Sequence, residues 1–474
     1  MKIKSSFVVN LIAIFISLIS LVLIILADKS DDYSFLWLLP FTYLLCSVIF
    51  NRIFSLVSEN FGVTLLLFLE LFRLTILPVV FAYGDYASNY SGIADSFGNQ
   101  AIMLMVYETV AVFATIFFCM RSKRIKRVVI LHEETYYYST RTISYLIVTL
   151  VIAFIVTIII APEGLLMYKN PFSIVDVNFT SAEGETFSVV SKYSSSFIKK
   201  LALVVHVYLM KILRFIVPLH IIVKIHNKDH NKRRFPLCIF VSLLSLLIID
   251  GSLARSLIYC LVLMYVSAVI YRKETKIYKY LFIASLTVTS YFVLRMMLVN
   301  TQLNHWAYFS KVLNAYFSGI PNTGGTIKLT FEPGELIKYF FCDYFQSIPF
   351  GNTIFGVSDV SFQNYFNAYN HTYGQIPTTI GVGYLYFGAL LSPLYSVLFS
   401  YLTYRFGLLA KESRDIIRKG AFVFASLSCA MGIVMYYLQI SLTSLGTVLI
   451  PILLISFMAR KRQKKVKTES IDEE

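Results

Sequence analysis

Two arginines and a histidine are the residues of this chain best suited by type and position to chemistry. Arg255 lies in Asp250-Gly-Ser-Leu-Ala-Arg255-Ser, a polar turn between two short apolar runs, and Arg295 closes a later apolar run. A guanidinium stays charged at any working pH and grips phosphate oxygens two at a time. The pair therefore suits a phosphate-bearing group and the charge that develops on it. His371 lies in Tyr369-Asn-His-Thr-Tyr-Gly-Gln-Ile-Pro377-Thr-Thr-Ile-Gly381. Imidazole is the usual general base near neutral pH. His305 is the alternative base, with Asp343 and Glu335 behind it. Lys211 and Arg214 sit in the middle of an apolar run, where a cation implies a polar interior able to meet an anionic head group. Each residue also has a plain structural role open to it: a salt bridge from Arg255 to Asp250, interfacial snorkelling for Arg295, loop packing for His371.

Other chemistries lack their residues. The chain has no Walker A sequence, no HExxH, no GxSxG, no CxxC, no Cys/His zinc spacing and no Asp-x-Asp in any segment expected outside. Nucleotide-driven pumping, zinc hydrolysis and metal-bound sugar-nucleotide transfer are thus not indicated, and no cofactor is expected.

The elements that position these residues follow from composition. Of the 474 residues 57% are hydrophobic and 15% charged, against roughly 45–50% and ~25% in soluble domains, and mean hydropathy is +0.69. Too few charges remain to cover a water-soluble surface, so the chain is expected to be an all-α polytopic integral membrane protein. A hydrocarbon core about 30 Å thick takes about 20 apolar helical residues. Twelve candidate spans follow: 6–27, 33–54, 61–83, 100–120, 142–161, 201–225, 236–250, 256–271, 280–299, 380–404, 420–440 and 443–459. The first is too long and too poorly terminated for a cleaved signal peptide and reads as a retained anchor. Five of the six cysteines fall in apolar runs; Cys342 alone lies in an expected water-facing loop, so no disulfide is expected.

Lys and Arg set orientation, because cytoplasmic segments carry the excess of both. With the N-terminus inside, 28 of the 42 fall on the inside, counting Arg52 at the inner end of the second span, 9 fall in outside segments, and the other five lie deeper within spans. Both termini are then cytoplasmic. The +15 net charge reads as topology and contact with anionic lipid rather than nucleic-acid binding. The seventh and eighth spans form a short hairpin whose apex, 250–256, points outward. Two outer loops are long, 162–200 and 300–379, the second between spans nine and ten. Of its 80 residues 18 are aromatic, and 303–317 and 335–347 could be helices lying at the outer membrane interface. Within the spans, Glu70 and Arg73 are spaced to pair on one helix face, and Glu108 is left to pair with a neighbouring span. His206, His220 and Lys224 share one side of the sixth span, where Lys224 can snorkel to the cytoplasmic face. No internal repeat is visible, which weakens a reading as a repeat-built transporter.

This arrangement resembles the bacterial polysaccharide repeat-unit polymerases, the O-antigen and capsule polymerase family. Gly251-Ser-Leu-Ala-Arg255-Ser looks like that family's Gly-Ser-Arg turn between two helices. A large outer loop in the C-terminal half ends with a histidine followed some ten residues later by glycine, here His371 and Gly381. Gly381-Val-Gly-Tyr384-Leu-Tyr-Phe-Gly388 resembles the family's Gly-Glu-x-Tyr-x-Asn-Phe-Gly lead-in to the next span, with Val382 in place of the acid and Tyr386 in place of the asparagine. The likeness covers roughly 236–404 by motif and the whole chain, 1–474, by architecture as one membrane-embedded domain.

The resemblance implies transfer of a growing glycan from undecaprenyl pyrophosphate to a new lipid-linked repeat unit, at the outer face of the bacterial cytoplasmic membrane. Undecaprenyl pyrophosphate is the leaving group, so no ATP is required. Arg255 and Arg295 would stabilise it and His371 would take the acceptor proton. Lys211, Arg214, His305, Gly381 and Tyr384 would contact substrate. Membrane lipids, a chain-length regulator and a flippase are the partners implied. A lipid-linked glycan ligase would share these motifs and differ in acceptor. A lipid-linked oligosaccharide flippase would share the span count without being an enzyme.

Overall fold

The computed structural model describes residues 5–28, 31–84, 97–122, 140–169, 196–228, 232–247, 249–250, 253–271, 307, 310, 313–314, 316–348, 351–356, 361–372, 375–413 and 415–458, leaving out 315. The helices in chain order are α1 Ser5–Leu26, α2 Leu38–Ile49, α3 Phe61–Leu71, α4 Leu77–Tyr83, α5 Gly98–Ser122, α6 Thr140–Ile160, α7 Phe197–Lys228, α8 Phe235–Leu244, α9 Leu253–Ile270, α10 Ile320–Ile327, α11 Glu335–Ser347, α12 Gly351–Phe355, α13 Phe362–Tyr369, α14 Thr379–Leu391, α15 Leu394–Glu412, α16 Ile416–Val434 and α17 Leu438–Ser444. The strands among the described residues are β1, Tyr168–Lys169, and β2, Ile249–Asp250, paired antiparallel.

Eight helical segments among the described residues are long and apolar enough to cross a membrane: Ser6–Leu26, Asp31–Ile49, Phe61–Tyr83, Gly98–Arg121, Arg141–Ile160, Phe197–Lys228, Ile416–Val434 and Leu438–Met458. The chain is a helical multi-pass membrane protein. Helices are the natural solution because lipid offers backbone N–H and C=O groups no partner. Several of these helices turn large apolar side chains outward, among them Phe7, Leu11 and Phe15 on α1 and Tyr145, Ile152 and Ile159 on α6. Water would penalise such a surface and hydrocarbon accepts it.

Where the seventh and eighth spans were expected the chain has the apolar helices α8 and α9, shorter than the eight segments above, and the expected ninth, 280–299, lies outside the described residues. The tenth is corrected. Instead of one helix over 380–404, α14 and α15 meet at 106°. Gly388 carries φ 74 and ψ 179, a backbone region open essentially to glycine. Pro393 then starts α15, where its missing N–H costs nothing, its carbonyl accepting from the Val397 N–H at 2.8 Å.

The chain divides into two compact units. The first comprises Met1–Val128, Thr301–Gly407 and Ser426–Ser444. Here α10, buried along its whole length, packs against α5 and α14. Side-chain caps fix several helix starts: Asn60 for α3, Ser361 for α13 and Thr378 for α14, each accepting from a backbone N–H three residues on. The second unit comprises Val129–Asn300, Leu408–Ala425 and Leu445–Glu474. In it α6 and α7 pack lengthwise, and α9 packs against α7 and α8. The β1–β2 pairing joins Tyr168 to Asp250, so the first long loop and the hairpin apex meet.

Candidate functional site

Helix α11 lies in the aromatic-rich segment and has the bounds expected from sequence, 335–347. Its polarity is inverted. Ile337 and Phe341 are exposed, as is Ile348 just beyond it, whereas Cys342, Asp343, Gln346 and Ser347 are buried. The helix thus turns apolar side chains out and its polar side toward its own protein. Asp343 is 1% exposed. Tyr386 on α14 donates its hydroxyl to Asp343 Oδ2 at 3.2 Å. Burial pushes the Asp343 carboxyl up to about 7, against the opposing pull of that hydrogen bond. A carboxyl tuned so exchanges protons at neutral pH.

Aromatic rings surround the pair. Phe340 meets Tyr344, Tyr386 and Phe387 edge-on, and the Tyr344 and Tyr395 hydroxyls lie 3.0 Å apart. Below, Tyr437 donates to Gln439, whose amide donates to Gln346 on the buried side of α11. Toward solvent the cluster continues through Phe331, Tyr339 and Tyr365, all half-buried. The result is a buried acid with a phenol above it and an aromatic surround.

The residues singled out from sequence fall elsewhere. His371 is exposed, follows α13 and adopts φ 51. Its backbone N–H donates to the Ala368 carbonyl at 3.3 Å, and no hydrogen bond joins it to Asp343 among the described residues. Arg255 lies in the first turn of α9, but its side chain, Arg295 and His305 lie outside the described residues. Gly381 belongs to packing: a Cβ there would lie 2.7 Å from both Thr326 Cβ and Thr378 Oγ1, so glycine lets α14 approach α10. Tyr384 accepts from Gln100 Nε2 at 3.2 Å at an exposed position. Cys342, expected to face water, is buried, and none of the six cysteines is in a disulfide.

In the second unit, Arg214 is buried with its guanidinium 4.7 Å from the centre of the Tyr259 ring and Nη2 donating to the Ser245 carbonyl at 3.1 Å. Lys211 Nζ donates to Thr447 Oγ1 at 3.5 Å. These contacts tie α7 to its neighbours. His206 and His220 both face α6, bonded to Thr157 and Ser144, while Lys224 is exposed.

Glu70 and Arg73 do not form the expected pair. Arg73 reaches Glu108 on α5 at 2.8 Å with both side chains fully buried, and Ser396 donates to the other Glu108 oxygen. Both Glu70 oxygens are buried without a hydrogen-bond partner among the described residues. The turn Phe72–Ile76 between α3 and α4 is a π-helix, which resets the register between Glu70 and Arg73.

The Asp343–Tyr386 pair joins residues 43 positions apart, which local sequence pattern does not register. One signal was available. Asp343 is the lone acid after Glu335 in an aromatic-rich helix, and an interfacial helix with an apolar outer face must turn its acid inward. No protein-family model, curated protein or solved structure matches the chain.

Proposed function

We propose that the protein polymerises lipid-pyrophosphate-linked oligosaccharide repeat units at the outer face of a bacterial cytoplasmic membrane. The observation that carries this reading is the buried Asp343 carboxyl, bonded to Tyr386 and walled by aromatic rings, in a segment the Lys/Arg bias puts outside. Aromatic rings offer apolar faces and tyrosines a polar tip, which suits sugars with one apolar and one hydroxyl-bearing side. The carboxyl suits a transfer that must move one proton. The donor is already activated, so no cofactor enters. Twelve spans, both termini cytoplasmic and 300–379 outside between spans nine and ten belong to this reading. So do the lipid-linked donor and acceptor, and a flippase and chain-length regulator as partners.

The test is the purified protein in lipid with undecaprenyl-pyrophosphate-linked repeat units. Ladders of increasing length support polymerisation. Transfer only to a different added acceptor supports a ligase, and movement across the bilayer without new glycosidic bonds supports a flippase. In the same assay Arg255→Ala and Arg295→Ala are each expected to abolish ladders while the protein still accumulates, with lysine a poor substitute because it lacks the bidentate fork. Full-length ladders from both alanine variants remove the pyrophosphate clamp.

Orientation has its own check. Glu332 lies in an exposed turn. Glu332→Cys, in a background with the native cysteines replaced, is expected to react with an impermeant maleimide from outside intact spheroplasts. Reaction only after the membrane is opened overturns the outer placement of 300–379.

A further inference from the structure

We propose that Asp343 and Tyr386 form a two-step proton relay that deprotonates the acceptor hydroxyl. This deepens the polymerase reading and rests on it. The geometry distinguishes the two members. Asp343, at 1% exposure, is too deep to touch a sugar, whereas Tyr386 is half-buried and already points its hydroxyl at Asp343 Oδ2. Tyr386 is therefore the group that meets substrate, and Asp343 is the positioning residue and proton store behind it.

The acceptor hydroxyl oxygen attacks the anomeric carbon of the donor and forms the new glycosidic bond. The bond from that carbon to the pyrophosphate oxygen breaks, its electron pair leaving with the lipid pyrophosphate. The acceptor proton passes to the Tyr386 oxygen as the Tyr386 proton passes to the Asp343 carboxylate. The tyrosine ends neutral, the aspartate ends as the acid, and the aspartate returns its proton to water after product leaves. No oxidant, metal or further reactant is needed.

Several features fit this use of the pair. Tyr386 is held from the side by Phe340 and lies close to Phe387 and Phe362, which limits ring motion and keeps its hydroxyl on the carboxylate. The Tyr437–Gln439–Gln346 chain occupies the buried side of α11 beneath. Asp343 has no cation within salt-bridge distance among the described residues, so nothing fixes it permanently as an ion. Its carboxyl near 7 makes the carboxylate form available just where turnover is needed.

The experiment compares wild type, Asp343→Asn, Tyr386→Phe and His371→Ala in the reconstituted assay with undecaprenyl-pyrophosphate-linked repeat units, from pH 5.5 to 8.5. Wild-type turnover is expected to rise with pH through about 7, because the carboxylate is the active form. Asp343→Asn keeps shape and a hydrogen-bond acceptor for Tyr386. It is expected to lose turnover by about 10²–10⁴-fold, the usual worth of general-base help, and to lose the rising limb with KM little changed. Tyr386→Phe tests the other member independently and is expected to slow turnover with KM again little changed. Polymerisation by wild type with Asp343→Asn at normal rate and with an unchanged pH profile overturns the relay and leaves the polymerase reading standing. A loss confined to His371→Ala assigns the base to the histidine and overturns the relay as well. Failure of wild type to make polymer overturns both.

Discussion

Arg73→Met is expected to destabilise the protein by about 3–5 kcal/mol, the range for breaking a buried ion pair from one side. Arg73 and Glu108 are both fully buried and 2.8 Å apart, and Glu70 lies fully buried one turn away. Removing the guanidinium leaves two carboxylates in a region that cannot solvate them. Glu108→Gln is expected to cost less, since its amide oxygen still accepts from Arg73. Arg73→Met combined with Glu70→Gln and Glu108→Gln is expected to recover most of the loss, because no uncompensated charge then remains. Unfolding of the detergent-solubilised protein in increasing SDS, with accumulation in the membrane as a second readout, measures this series. A near-wild-type midpoint for Arg73→Met contradicts the buried pair.

Gly381→Ala is the second large effect, and it separates two roles for that glycine. The added methyl would sit 2.7 Å from Thr326 Cβ and from Thr378 Oγ1. Neither is the free end of a flexible chain, so α14 must move off α10. Overpacking of this kind costs about 1–3 kcal/mol, and disturbing the Thr378 cap, which accepts from the Gly381 N–H at 3.1 Å, adds about 0.5–2 kcal/mol. The expected result is a lowered apparent melting temperature in detergent and, under the proposed function, polymer output falling in proportion to folded protein. Normal melting with lost output would return Gly381 to the substrate contacts its motif implied.

Much of the architecture was legible because lipid reads local composition. A run of apolar residues either suffices to cross hydrocarbon or does not, and 6–27, 61–83, 100–120 and 142–161 each reappear as helices with bounds shifted by a few residues. The helix at 335–347 was legible for the same kind of reason, since it is dense in apolar residues. Positions that depend on a register or a bend were not. The π turn at Phe72–Ile76 sends Arg73 to Glu108 instead of Glu70, and nothing in the FRLTI sequence announces a π-helix. The 106° break between α14 and α15 lies at Pro393, five residues after the positive-φ Gly388, and a hydropathy window does not register either feature.

The sequence by itself determined that this is a helical multi-pass membrane protein and that its C-terminal half carries an aromatic-rich segment, because hydropathy and composition are sums over neighbouring residues. Only the tertiary structure decided which acid is buried against a phenol. His371 had the right type and a prominent position, yet it is exposed and no hydrogen bond joins it to Asp343 among the described residues. Asp343 is set apart from other carboxylates by burial against Tyr386, a residue 43 positions away. Desolvation is a property of what surrounds a group in space, and those surroundings exist only once α11 and α14 have packed.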